Sequence, residues 1–302
     1  MRRVPPDGSS DRLMHSALLD AIRGLRWRAR RASRIAVPGI HPSRVRGSSA
    51  EFTEYRAYRQ GDDLRRIDWK LFARSDRAHV RISEERAVTP TYIVVDASAS
   101  MAFPDGATSK WSLVQQLTVA LTAVAHSSGD PAGVIVAGNP RATVQPRTRH
   151  GLVAEVSRML QHVKVSGGVP IAPTVAIAAR AASRVAIISD FLGDLDETLQ
   201  TARQLIASGR DVYALHIIAA EEMDPPATIS VVTDPETDAV HRSLSVDTRK
   251  EYTRAFGAWR DDVASRWLAS GAAYREIVTG NEPVSSVVRR IVRDEPVASR
   301  AG

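Results

Sequence analysis

The chain has 302 residues, more than a usual single domain, so its length fits one large unit or a core domain with additions. Hydrophobic residues make up 43% and charged residues 25%, the values of an ordinary globular chain, and no run approaches the ~18 consecutive apolar residues of a membrane span. The net charge of +7 is unevenly placed: residues 1–50 hold eleven arginines against three acids, a local +8 that leaves −1 for the rest, so attraction to an anionic partner is confined to the N-terminal segment.

The absence of cysteine excludes thiol catalysis, disulfide scaffolding, iron–sulfur clusters and cysteine-type zinc sites. The eight histidines are scattered, with no His-x-x-x-His pair to bind a transition metal on a helix. The N-terminus lacks the apolar core of a secretory signal, and a cytoplasmic protein is the expectation.

Residues 1–36 are expected as a basic N-terminal helix and tail. Met14, Leu18, Ile22 and Leu25 recur at helical spacing after Ser10-Asp11, while Arg23, Arg26, Arg30 and Arg34 line another side. Two readings stand: a contact to nucleic acid or an anionic membrane, or a solvated face held by its apolar stripe. Pro38-Gly39 ends the helix. Residues 37–90 then form a polar, charge-dense β/turn segment; between 51 and 100 nine basic residues meet nine acidic ones, too balanced for a nucleic-acid patch.

From residue 91 to 295 strands alternate with helices. The predicted strands are Tyr92–Val95, Gly133–Ala137, Val185–Ile188, Val212–Ile218 and Tyr274–Val278. The predicted helices are one marked by Trp111, Val114, Leu117, Leu121 and Ala125, and others near 149–163, 174–182, 196–208, 247–270 and 283–293. Ile229–Thr233 and Ala239–Leu244 read as edge strands, and 296–302 as a disordered tail. Strands interleaved with helices imply an α/β fold with a doubly wound, mainly parallel sheet.

Asp96-Ala-Ser98-Ala-Ser100 follows the first of these strands, where open parallel sheets place their ligands. A carboxylate and two hydroxyls from one loop are hard oxygen donors suited to Mg²⁺. Asp190 ends a second apolar strand and meets the first loop if the two strands are neighbours. The competing reading is that Asp96 and the serines only satisfy backbone N–H groups at a helix start. Catalysis is not expected: position 98 is Ser where a haloacid-dehalogenase-type phosphatase has a second Asp, and no Gly-x-Ser-x-Gly, His-Glu-x-x-His or Walker loop is present.

The Asp-x-Ser-x-Ser loop and Asp190 resemble the metal-ion-dependent adhesion site of von Willebrand factor A domains. There a Thr from a Gly-Gly-Thr loop completes the donor set. Here the loop reads Ser166-Gly167-Gly168-Val169, and an isopropyl group cannot coordinate a cation; Ser166 or Thr174 stands as a substitute. The resemblance implies Mg²⁺ or another divalent cation held by Asp96, Ser98, Ser100 and Asp190, with an open position for a partner's carboxylate.

The upstream string Arg56-x-Tyr58-x-x-Gly61-Asp62-Asp63-x-Arg65-x-Ile67-Asp68-Trp69, with Ala73-Arg74 and Glu84-Glu85-Arg86, resembles the bacterial family called domain of unknown function 58. The likeness covers roughly residues 40–295. It implies a non-enzymatic binding module working with a MoxR-type AAA+ ATPase in chaperone-like assembly or maturation, as the shorter members without membrane helices are thought to do. Asp62, Asp63, Arg65, Asp68 and Trp69 are candidates for the partner contact, with a purely structural role as the alternative.

Overall fold

The computed structural model describes residues 16–30, 52–60, 62, 64, 67–83, 88–225, 231–233, 241–243 and 246–294. The chain forms two compact units, one of residues 40–88 and the other of the flanking segments.

In the smaller unit β1 (Phe52–Ala57) pairs antiparallel with β2 (His79–Ser83), and α1 (Trp69–Ser75) lies between them in sequence. Asp68 caps α1, its side chain accepting from the N–H groups of Lys70 and Leu71 at 3.0 Å each. Asp62 accepts from Arg56 Nη2 at 2.7 Å and from the Arg59 backbone N–H at 2.8 Å, closing the turn after β1. Trp69 is 60% exposed and meets Phe72 edge-on at 6.0 Å. Two acids of the signature string, Asp62 and Asp68, thus hold local structure, while Trp69 stays open; Asp63 and Arg65 lie outside the described residues.

The larger unit is built on a six-stranded sheet. Its strands are β3 (Thr91–Val95), β4 (Ala132–Val136), β5 (Asn139–Arg147), β6 (Arg184–Ser189), β7 (Asp211–Ile218) and β10 (Ala273–Val278), in the spatial order β10-β7-β6-β3-β4-β5. All pairings are parallel except β4 with β5. β3, β4, β6 and β7 are buried along their whole length, which is why each reads as a mostly apolar run with no alternating polar face.

The two faces of the sheet carry separate cores. Ile93, Val95, Val134, Ile188 and Leu215 on one face pack with α2 (Lys110–Ser127), α3 (Leu152–Gln161) and α8 (Val284–Arg293). Tyr92, Val94, Val185, Ile187 and Val212 on the other pack with α4 (Ala172–Ala179), α5 (Leu195–Ala207) and α7 (Val246–Ala269). Alternation along each strand sends successive side chains to opposite cores. A short α6 (Ala220–Met223) follows β7.

Several elements depart from the sequence reading, among them α1, a helix inside the segment read as β/turn, and the short α6. β5 was not anticipated: Asn139, Pro140, Arg141, Pro146 and Arg147 obscure its pattern, and two prolines are tolerable only because it is an edge strand. β8 (Val231–Thr233) and β9 (His241–Ser243) are not edges of the main sheet but pair with each other, antiparallel, as a two-stranded sheet.

The N-terminal segment differs too. Helix is confined to residues 16–21 of those described before position 31, and the chain then runs on to Arg30 without regular structure. This segment is not an appendage, because Ile22 and Trp27 are buried within the first core. Arg30 donates to Asp294 at 2.7 Å through Nε and to Asp211 at 2.8 Å through its backbone N–H, and Arg289 donates to the Ala21 carbonyl at 2.7 Å. Arg23 pairs with Asp20 at 2.7 Å; Arg34 lies outside the described residues.

Candidate functional site

Strand order reverses at β3: the chain leaves it for β4 on one side and later returns to β6 on the other. The crevice beyond the carboxyl ends of β3 and β6 is therefore the switch point of the sheet. Asp96 follows β3 and Asp190 follows β6, and the Asp96 N–H donates to the Ile188 carbonyl at 3.0 Å. The two aspartates, though 94 positions apart, end neighbouring strands.

Asp96 is 5% exposed and spends both oxygens on protein donors: Oδ1 accepts from the Ser98 N–H at 2.8 Å and Oδ2 from Ser189 Oγ at 2.7 Å. Ser189 Oγ in turn accepts from the Phe191 N–H at 2.9 Å. Burial, and then the charge of Asp190, push the Asp96 carboxyl up to about 6, against the pull of its hydrogen bonds. Ser98 and Ser100, also buried, share a hydrogen bond of 3.0 Å between hydroxyls.

The middle loop joins the first one through backbone alone: the Ser166 N–H donates to the Ala97 carbonyl at 3.0 Å, and the Ala99 N–H to the Gly167 carbonyl at 2.7 Å. The Ser166 side chain is exposed, and Thr174 sits buried in the first turn of α4. Val169 lies against the backbone of Gly138, where a Cβ would approach its methyl carbons to 2.7 Å. Asp194 fastens this loop to the one after β6, accepting from the N–H groups of Ile171 and Ala172 at 3.0 Å each and from Thr198 Oγ1 at 3.2 Å.

Asp190 is engaged by a residue that the sequence reading overlooked. Lys110 Nζ donates to Asp190 Oδ2 at 2.8 Å and to Glu222 Oε1 at 2.7 Å, and the lysine is fully buried. Burial alone would lower the Lys110 pKa, yet the two carboxylates outweigh it and the ammonium is held above its ordinary range. Burial holds Glu222 up, against the pull of Lys110. Asp190 Oδ1 accepts from the Leu192 N–H at 3.2 Å, and Glu222 Oε2 from the Ala219 N–H at 2.7 Å. A lysine at a helix N-terminus opposes the helix dipole, and that was the available signal that Lys110 answers to carboxylates elsewhere.

These residues do not fit a divalent cation as they stand. A hard cation needs oxygen ligands carrying net negative charge. Here one aspartate is paired with an ammonium, the other has each oxygen on a protein donor, the serine hydroxyls bond each other, and position 169 offers no oxygen ligand. Among the described residues no group of three His, Asp or Glu is placed to hold a metal ion. The sequence brings Asp96, Ser98, Ser100 and Asp190 together as expected, but closes the cluster with its own cation. Beneath it His216 is buried with Nδ1 2.7 Å from the Tyr274 hydroxyl and rings of Phe191 and Trp259 edge-on at 5.5 and 5.4 Å, and burial holds it down at about 3, uncharged.

Strand order, the single antiparallel edge and the Asp-Ser loop at the switch point define the class: this is a von Willebrand factor A-like domain. Within that class, the chain belongs to the family described as Protein of unknown function DUF58, whose profile matches residues 54–262. It is 29% identical over 267 residues to the Mycobacterium tuberculosis protein described as Uncharacterized protein Rv1480 and to a Mycobacterium bovis counterpart, covering 83% of this chain and 81% of theirs. Among solved structures, the conserved hypothetical protein BatB from Bacteroides thetaiotaomicron aligns with a TM-score of 0.44 at 16% identity, over 68% of this chain and 97% of that one. The SpRpn10 VWA domain aligns with a TM-score of 0.44 at 12% identity, over 70% and 100%. Among the described residues no helix is long and apolar enough to cross a membrane.

Proposed function

We propose that the protein is a non-enzymatic protein-binding module that receives its partner on the rim of this crevice, and that the partner is a MoxR-type AAA+ ATPase acting in chaperone-like assembly or maturation. The observation that carries the reading is that three segments at the rim present an exposed apolar side chain: Phe103 after the first loop at 38%, Val169 at 41% and Leu192 at 50%. Exposed apolar side chains on neighbouring loops are anchors that a protein contact buries. Asp96, Ser98, Ser100, Lys110, Asp190 and Glu222 below are all engaged by protein partners, which suits a rigid platform better than a reacting centre. The ATPase follows from family resemblance, and a cytoplasmic location goes with it.

The test is binding of the full-length chain to that ATPase, by pull-down and calorimetry, with Phe103→Ser, Val169→Asp and Leu192→Ser. Each is expected to weaken binding by at least about tenfold; undiminished affinity in all three would remove the rim from the contact.

A nucleic-acid or anionic-membrane contact through Arg23, Arg26, Arg30 and Arg34 draws less support, since Arg23 and Arg30 are tied to Asp20 and Asp294.

A further inference from the structure

Lys110 stands in the crevice fully buried, at a place where its charge needs compensation. A fully buried ammonium at the start of a helix is unfavourable twice over, by desolvation and by the helix dipole. Its compensation comes from two carboxylates on separate elements: Asp190 after β6 and Glu222 on α6 after β7. One positive charge thereby holds together the start of α2 and the ends of two strands, the same task that a bound cation performs where several acidic loops converge.

We infer that the Lys110 ammonium replaces the divalent cation in this crevice, making the rim a docking surface that works without metal. Asp190, the acid that the resemblance assigns to the cation, has one oxygen on Lys110 and the other on the Leu192 N–H. Asp96 faces Ser98 N–H and Ser189 Oγ, and the two serine hydroxyls face each other. Val169 stands where the third hydroxyl would be, and its isopropyl group packs on Gly138. A doubly charged ion entering beside Asp190 would meet a tethered positive charge, and repulsion between them is strong where water is excluded. Because the ammonium is covalently part of the chain, neither chelators nor changing Mg²⁺ levels can empty the site.

The inference deepens the reading of the rim as a docking surface and rests on it only for the partner's behaviour; metal uptake is measured without a partner, so the two fail separately. Mn²⁺ binding to the full-length chain is followed by electron paramagnetic resonance, and the thermal midpoint is recorded with and without millimolar Mg²⁺. The wild-type chain is expected to take up no stoichiometric Mn²⁺ and to show no Mg²⁺-dependent shift. Lys110→Met leaves Asp190 and Glu222 facing each other, and is expected to gain a Mg²⁺-dependent rise in midpoint; Lys110→Gln, which keeps a hydrogen-bond donor, serves if the Met variant does not fold. One Mn²⁺ per wild-type chain, lost on Asp190→Asn, overturns the inference. So does a lysine variant that folds and remains indifferent to Mg²⁺.

Discussion

The guanidinium of Arg184, at the start of β6, lies 4.6 Å from the ring centroid of Trp27 and donates to the Trp27 carbonyl at 3.0 Å. Both side chains are almost completely buried, and Trp27 also meets Tyr213 edge-on at 5.1 Å. A residue from the segment of highest positive charge is thus part of the core of the sheet. Trp27→Ala is expected to cost about 3–5 kcal/mol, by lost burial and by loss of the ring under the Arg184 guanidinium. Urea unfolding followed by circular dichroism measures it, and a loss below about 1 kcal/mol would show the segment to be dispensable. Deleting residues 1–30 removes Ile22 and the Ala21 and Arg30 contacts as well, so tests of an anionic partner call for charge-changing point variants instead.

Asp96 makes stability depend on pH in a defined direction. Its carboxyl titrates at about 6 in the fold, against an ordinary value of 3.8, so the folded state holds the proton more tightly than the unfolded one. The contribution is fully present below the unfolded value and is lost as pH rises through about 6, an effect of about 3 kcal/mol. Asp96→Asn removes it. The stability of the variant relative to wild type should therefore improve by roughly that amount between pH 4 and pH 7, read as the difference in urea midpoints; a constant difference contradicts this. His216 acts in the opposite sense in both proteins: uncharged in the fold, it loses stabilising effect as pH falls below 6.5 toward about 3.

The buried ion pairs of Lys110 should show strong coupling. Lys110→Met alone is expected to cost about 3–5 kcal/mol, because two carboxylates lose their counter-charge. Combining it with Asp190→Asn and Glu222→Gln should recover much of that loss. In a double-mutant cycle with Asp190→Asn the coupling energy is expected to exceed about 1 kcal/mol; additive effects would mean that the contact contributes nothing specific.

Val169→Thr restores a hydroxyl to the middle loop at nearly constant volume on a side chain 41% exposed. Stability is expected to stay within about 0.5 kcal/mol of wild type, with no Mg²⁺-dependent rise in thermal midpoint. Gly138→Ala, by contrast, meets Val169 at 2.7 Å from a backbone with φ of +69°, and is expected to cost more than about 1 kcal/mol. A Mg²⁺ response in Val169→Thr would place the barrier to metal at position 169 and not at Lys110.

Much of the α/β unit was legible before any coordinates. Tyr92–Val95, Val185–Ile188 and Val212–Ile218 are strands because both faces of a parallel sheet are buried, leaving mostly apolar runs, of which the first stops at Asp96 and the second at Ser189-Asp190. β5 escaped notice because an edge strand needs only a few inward apolar residues, here Ala142 and Val144, and its prolines read as loop. The spacing of Met14, Leu18, Ile22 and Leu25 signalled an apolar stripe, but not that the chain leaves helix after residue 21 to insert Trp27.

The order of residues by itself determined the parallel strands of the main sheet, that Asp96, Ser98 and Ser100 share a turn, and that Asp190 follows a strand of the same kind. Those properties are local, set by side-chain period and by the few residues on either side. Only the tertiary structure decided what Asp190 faces. Lys110 and Glu222 are 80 positions before it and 32 after it, and no periodicity links them; three elements had to converge before the ammonium lay 2.8 Å from one carboxylate and 2.7 Å from the other. Charge pairing across a crevice depends on distance through space and on exclusion of water, which the chain acquires only on folding.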